Sequence, residues 1–200
     1  MYGNVDLEGV VILENHALHS GGGVVLAAGY DGGRIANNYV VRNSADVVDT
    51  SLHTADNSVE IANNTIVGDS SSTGIYVDDN ASGMLKLTNN VVVNHTAGIE
   101  KVAGASVTLA NNDVWGNTTN YLNVSPGSGD ISVDPDFVDP GNDDHHLDAD
   151  SQCIDSGTTV DELYFDYDGD RRTGALLDIG ADEIQTDAFF IPLTVRRYTP

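Results

Sequence analysis

The sequence of 200 residues holds a single cysteine, Cys153, which excludes an internal disulfide framework and any cysteine-based metal cluster. Basic side chains are nearly as scarce. Eight Lys and Arg stand against 31 Asp and Glu, for a formal net charge of −23. A surface of that charge repels nucleic acid and anionic membranes, so neither is an expected partner. No apolar run is long enough to cross a bilayer, and no signal peptide is visible. The stretches of Ala, Leu, Glu and Lys that build long helices are also missing. Repeat-like sequence begins at once, from Met1 to Leu13, so the chain reads as a fragment, and an export signal, if there was one, would lie outside it.

What is present points to strands and turns. Asp outnumbers Glu by 25 to 6, and Asp suits turns where Glu suits helices. Val, Ile and Thr are plentiful, and there are 21 glycines. Four segments align without gaps: Ile35-Ala-Asn-Asn-Tyr-Val-Val, Ile61-Ala-Asn-Asn-Thr-Ile-Val, Leu87-Thr-Asn-Asn-Val-Val-Val and Leu109-Ala-Asn-Asn-Asp-Val-Trp. A weaker copy at Ile12-Leu-Glu-Asn precedes them. The second Asn of each copy marks the repeat at Asn15, Asn38, Asn64, Asn90 and Asn112, with spacings of 23, 26, 26 and 22 residues. A period of this size signals a solenoid.

Apolar residues alternate before each Asn pair, as at Val59 and Ile61 or Leu85 and Leu87, which is strand periodicity. The pair itself breaks the strand, because Asn accepts tight-turn backbone angles. A second short strand follows at Val40-Val41, Ile66-Val67, Val91 to Val93 and Val114-Trp115, and a third starts at Gly23-Val24, Gly74-Ile75 and Gly98-Ile99. Three short strands per turn give an all-β, right-handed parallel β-helix of about five coils. The marker asparagines would stack inside it as a ladder, each buried amide bonded to those above and below, a structural role rather than a catalytic one. A leucine-rich repeat fits less well, because Asp56, Ser82 and Gly104 stand where its first Leu belongs and no helical stretch fills the rest.

The Asn-Asn-x-Val/Ile pattern followed by Gly-Ile resembles the parallel β-helix repeats of pectate-lyase-like proteins, over about residues 5–125. After Tyr121 the character changes to Asp134-Pro-Asp-Phe-Val-Asp, His146-Leu, Ile154-Asp-Ser-Gly, Asp166-Tyr-Asp-Gly-Asp-Arg-Arg and Asp178-Ile-Gly-Ala-Asp-Glu183. In order and spacing these resemble the terminal cap of secreted bacterial β-helix proteins, a group often carrying a choice-of-anchor C-terminal region. Gln152-Cys153 departs from that pattern, which leaves the local turn open. The division implied is coils over 1–125 and an irregular Asp-rich capping segment and tail over 126–200. Phe137, Val138, Leu147, Ile154 and Ile179 are expected to pack on the last coils, since a solenoid end needs covering. The tail from Phe189 reads as a final strand or as a short hydrophobic-then-basic terminus.

Candidate chemistry is sparse. Asp166, Asp168 and Asp170 alternate as carboxylates do in calcium loops; Arg171 and Leu177 stand where an EF-hand needs Gly and Glu, so Asp178, Asp182 or Glu183 would complete a different cage. The competing expectation is a capping turn bonded to backbone N–H groups and to Arg171 or Arg172. His145-His146, and the pair His16 and His19, read as exposed turn residues. Asp78-Asp79, after Tyr76, is the best paired-carboxylate candidate for catalysis, followed by Asp46 and Asp49. Neither pair makes a recognisable motif, and solvated turn acids account for both better than catalysis does. Lys86, Lys101, Arg34 and Arg42 are the only fixed cations in the coils. Tyr2, Tyr30, Tyr39 and Tyr76 could stack on sugar rings. These readings lead to an extracellular or cell-surface bacterial module, structural or binding a glycan or partner protein, with calcium as the one expected cofactor. The alternative is the C-terminal part of a polysaccharide lyase or glycosidase.

Overall fold

The computed structural model describes residues 4–27, 32–46, 50–55, 59–78, 85–173 and 176–185. They form a parallel β-solenoid of triangular section, with three five-stranded sheets as its faces. The first face stacks Val5–Glu8, Gly33–Ala36, Val59–Ala62, Leu85–Thr88 and Val107–Ala110. The second stacks Val11–Leu13, Tyr39–Val41, Thr65–Val67, Val91–Val93 and Asp113–Trp115. The third stacks Val24–Leu26, Thr50–Thr54, Thr73–Val77, Ala97–Lys101 and Thr119–Leu122. Among the described residues no helix is long and apolar enough to cross a membrane.

Alternation along each short strand sends every second residue inward, and parallel pairing without slippage stacks these residues into columns. Leu7, Ile35, Ile61, Leu87 and Leu109 make the first column. Ile12, Val40, Ile66, Val92 and Val114 make the second. Val24, Leu52, Ile75, Ile99 and Tyr121 make the third. The three columns meet on the axis as one continuous apolar core. Each fully buried aliphatic side chain there contributes about 1.5–3 kcal/mol of transfer free energy.

The register corrects the first spacing read from the sequence. Val11 pairs with Tyr39, so the first rung lies 28 residues before the second, and Val10 rather than Asn15 precedes its second strand as Asn38 precedes Tyr39. Asn15 stands at the following corner, where it is exposed and its side chain donates to Asn43 Oδ1 at 3.0 Å.

The C-terminal segment also lies elsewhere than expected. It begins a partial sixth rung, with Ser128 bridging Ala110 and Ile131 bridging Asp113. Gly127 permits that approach, since a Cβ there would stand 1.9 Å from the Leu109 carbonyl oxygen. The chain then turns back along the outside of the solenoid instead of closing its end. Leu147, Cys153, Ile179 and Ala181 bury Tyr39, Val41, Val67, Val91 and Val93 of the second face in a second apolar cluster. Phe137 and Ile154 pack against the same cluster, whereas Val138 is 52 % exposed. The second face is itself apolar on its outward side, so it is the one that needs a cover.

Candidate functional site

The two asparagines of each pair do different work. Asn37, Asn63, Asn89 and Asn111 take left-handed backbone angles, with φ between 51° and 55°. The next residue turns inward. Asn38 Nδ2 donates to Asn64 Oδ1 at 2.9 Å, Asn64 Nδ2 to Asn90 Oδ1 at 3.0 Å, and Asn90 Nδ2 to Asn112 Oδ1 at 3.0 Å. Each amide also donates to a main-chain carbonyl of the preceding rung, from Leu7 to Leu87. Asp130 ends the column by accepting from Asn112 at 3.0 Å. These positions are saturated with structural bonds and offer a ligand nothing.

The first asparagine of each pair faces the C-terminal segment. Asn37 donates to the Phe165 carbonyl, Asn63 to those of Asp178 and Gly180, Asn89 to that of Thr158 and Asn111 to that of Ser156. One line of side chains thus stitches a segment without repeats to four successive coils. The sequence reading gives the second Asn of each pair its inward place and the first Asn no partner, so this role was not foreseen. Asp130 was also missed, although its place 18 residues after Asn112 and just before the β-branched Ile131 is a usable signal.

Many acids of the segment accept from its own backbone. Asp166 Oδ1 accepts from the Asp170 N–H at 2.8 Å, and its Oδ2 from the Glu183 N–H at 3.0 Å. Asp178 accepts from Asp155 and Ile184, and Glu183 from Asp178. The buried Arg172 pairs with Glu183 at 2.9 Å and donates to Asn37 Oδ1 and to the Gly180 and Ala181 carbonyls. Arg171 instead lies over the Phe165 ring. The three alternating carboxylates therefore do not form the calcium cage drawn from their spacing. Asp166 is held inside by N–H groups, Asp168 meets His146, and their oxygens do not gather with those of Asp170.

His145 and His146 are strand residues, not exposed turn residues. They lie on Asp144–Leu147, which pairs antiparallel with Phe137–Asp139 and turns alternate side chains inward. His145 is buried against Phe137 and Tyr39. His146 places Nδ1 2.5 Å from Asp144 Oδ1 and Nε2 2.9 Å from Asp168 Oδ2. Burial opposes a charge on this ring, but the Asp144 hydrogen bond and the Asp182 and Asp168 carboxylates outweigh it and raise its pKa. One ligand atom each from His146, Asp168 and Asp182 lies within 4.8 Å of the other two, and among the described residues no other such trio of His, Cys, Asp or Glu occurs. The sequence already offers Asp168 and Asp182 to one cage, whereas no spacing joins His146 to them, 22 positions before Asp168 in a segment without periodicity. Tyr39, a candidate for sugar stacking, is buried beneath this layer.

The first face stays open and carries a regular outward row. Asp6, Arg34, Glu60, Lys86 and Thr108 stand in register, so the charge alternates from rung to rung. Arg34 pairs with Glu60 at 3.1 Å and donates to the Asp161 carbonyl at 2.6 Å, joining this floor to a wall made by the C-terminal segment. Floor and wall enclose a cavity of about 490 Å³ between Arg34 and Thr108, with Thr158 to Asp161 alongside. A second cavity, of about 400 Å³, continues past Arg34 to Asp6, Glu8 and Glu162. Together they form a polar trough parallel to the solenoid axis.

The third face presents Val25, His53, Tyr76, Glu100 and Leu122 in register. His53 Nε2 lies 3.4 Å from Asp78 Oδ2, and its ring meets Tyr76 at 5.1 Å. Asp79, the other half of the sequence pair, lies outside the described residues, as do Asp49, Tyr2, Tyr30 and the tail from Phe189. Asp46 pairs with the exposed His16 at 3.0 Å, and His19 is exposed too.

Searches of curated proteins and of solved structures find no match to the chain. A family profile described as the right handed beta helix region matches residues 1–135, which takes in all five rungs and the start of the sixth. With its stacked parallel faces, inward columns and family match, the chain belongs to the right handed beta helix family.

Proposed function

We propose that the chain is a β-helix binding module that holds a neutral, hydroxyl-rich polysaccharide along the trough of its first face, in an extracellular or bacterial cell-surface setting. The trough carries this reading. It is elongated, open and polar, and its floor offers charged donors and acceptors and then Thr108 at successive rungs, about 4.8 Å apart. A chain of sugar hydroxyls can donate and accept along such a row, whereas an anionic polymer meets a net charge of −23. Lys86 and Thr108 are exposed on the floor and available to a ligand. The test is retention of the purified chain on a panel of immobilised polysaccharides, with calcium and with chelator. Retention on a neutral glycan should fall at least fivefold in Thr108→Trp, which fills the trough without touching the core. No retention on any glycan, or retention indifferent to that substitution, would remove the reading.

One contact favours a second reading, glycan cleavage. The His53–Asp78 pair beside Tyr76 on the third face sets a largely buried imidazole beside a carboxylate, the parts of an acid–base couple. Depolymerisation of a retained glycan that is lost in Asp78→Asn would support it, and glycan of unchanged length after prolonged incubation would dismiss it.

A further inference from the structure

Among the described residues beneath and within the C-terminal segment, two buried polar atoms lack a partner, Arg172 Nε and the Tyr39 hydroxyl. The Tyr39 side chain is 5 % exposed, and its hydroxyl makes no hydrogen bond. Buried hydroxyls are nearly always paired, so an orphan of this kind asks what completes it. Burial pushes its pKa up, and the carboxylates of Asp182, Asp168, Asp166 and Asp144 add to that rise. Its ring meets that of His146 edge-on at 5.7 Å, and both side chains line a cavity of about 110 Å³. The side chain that carries the unpartnered hydroxyl thus packs against His146, whose ligand atom converges with those of Asp168 and Asp182 in the one such trio among the described residues.

We propose that His146 Nε2, Asp168 and Asp182 hold one divalent transition-metal ion of the zinc class, with a metal-bound water hydrogen-bonded to the Tyr39 hydroxyl. An imidazole nitrogen beside two carboxylates suits zinc and its neighbours, whereas calcium takes six to eight oxygens. Asp144 on Nδ1 supplies the outer carboxylate that fixes the tautomer of a metal-bound histidine and leaves Nε2 for the ion. The ion replaces the Nε2 proton, which leaves to solvent, so binding releases one proton when the ring starts charged. The three ligands come from the strand Asp144–Leu147 and from two turns, around Asp168 and Asp182. The ion thus ties together parts of a segment whose one cysteine, Cys153, is free.

The test strips the purified chain with EDTA and titrates it with zinc, and separately with calcium, by calorimetry. Cobalt is added to a second sample to read nitrogen ligation from its visible spectrum. Expected are one zinc ion per chain, a raised melting temperature, and at least tenfold weaker binding in His146→Gln with loss of the cobalt bands. Asp168→Asn, on the exposed side of the site, should weaken zinc similarly and decides the question if the histidine variant does not fold. Tyr39→Phe, which deletes only the hydroxyl, should leave the stoichiometry at one and lower the affinity. Zinc taken up equally by the wild type and both ligand variants, or bound no more tightly than calcium, overturns the site.

Discussion

Single side chains with no exposure decide how this solenoid answers mutation and pH. Asn64 accepts from Asn38 and donates to Asn90 and to the Ile35 carbonyl, so Asn64→Ala strands several buried groups at once. Chemical denaturation should show a loss of about 2–3 kcal/mol. Asn15→Ala should stay within about 0.5 kcal/mol, because that residue is exposed at another corner. The sequence made these two asparagines look equivalent; the difference lies in the length of the first loop, which no residue pattern announces. Asp113 carries one part of the pH response, beside Glu183, whose carboxyl burial also pushes up to about 7. Burial pushes the Asp113 carboxyl up to about 7, against a bond from the Val133 N–H and one from the Cys153 thiol. Its folded pKa exceeds the unfolded one, so its stabilising contribution is complete below about pH 4 and is lost as pH rises through 7. One linked proton gives a slope of up to about 1.4 kcal/mol per pH unit. Asp113→Asn should remove that slope from the urea midpoints between pH 4 and 7, and should leave the variant more stable than the wild type at pH 8. Equal slopes in the two proteins would refute this assignment.

At the scale of elements, the strands were legible, as were most of the apolar residues of the covering segment, but not the face it covers. Val59, Ile61, Leu85 and Leu87 alternate because one side of each strand meets the axis, and a two-residue period survives in any linear reading. The C-terminal segment is held by contacts with no period. Arg172 reaches Asn37 135 positions away, and Gly180 donates to the Asn89 carbonyl. Its acids were visible as a composition, yet their role as acceptors for local N–H groups follows only from the folded turns. For the same reason the Asp166 spacing suggested a cage that the backbone does not build. The Arg172–Glu183 pair is the most buried charge contact of the segment, with side-chain exposures of 0 % and 4 %. Arg172→Met should cost about 3–5 kcal/mol, because it leaves the Glu183 carboxylate buried without its partner. Hydrogen exchange should then show the segment from 134 to 185 opening before the coils. Uniform opening of the whole chain would mean that segment and solenoid are one cooperative unit.

For the whole molecule, the segment behaves as half of the outer wall. Cleavage after residue 135 would keep the region matched by the family profile but uncover Tyr39, Val41, Val67, Val91 and Val93. The truncated chain should bind a hydrophobic dye strongly and self-associate, in contrast to the intact protein. A monomeric, dye-free truncation would show that the second face needs no cover. The alternating row of the first face has a different consequence. A molecule made of look-alike turns risks skipping one during folding, and the asparagine column cannot detect the error, since Asn38, Asn64 and Asn90 are interchangeable. A skipped turn would set Asp6 on Glu60 and Arg34 on Lys86, like charge on like, where the native stacking opposes them. The row is therefore a parity code that lets the chain tell odd turns from even ones while it winds.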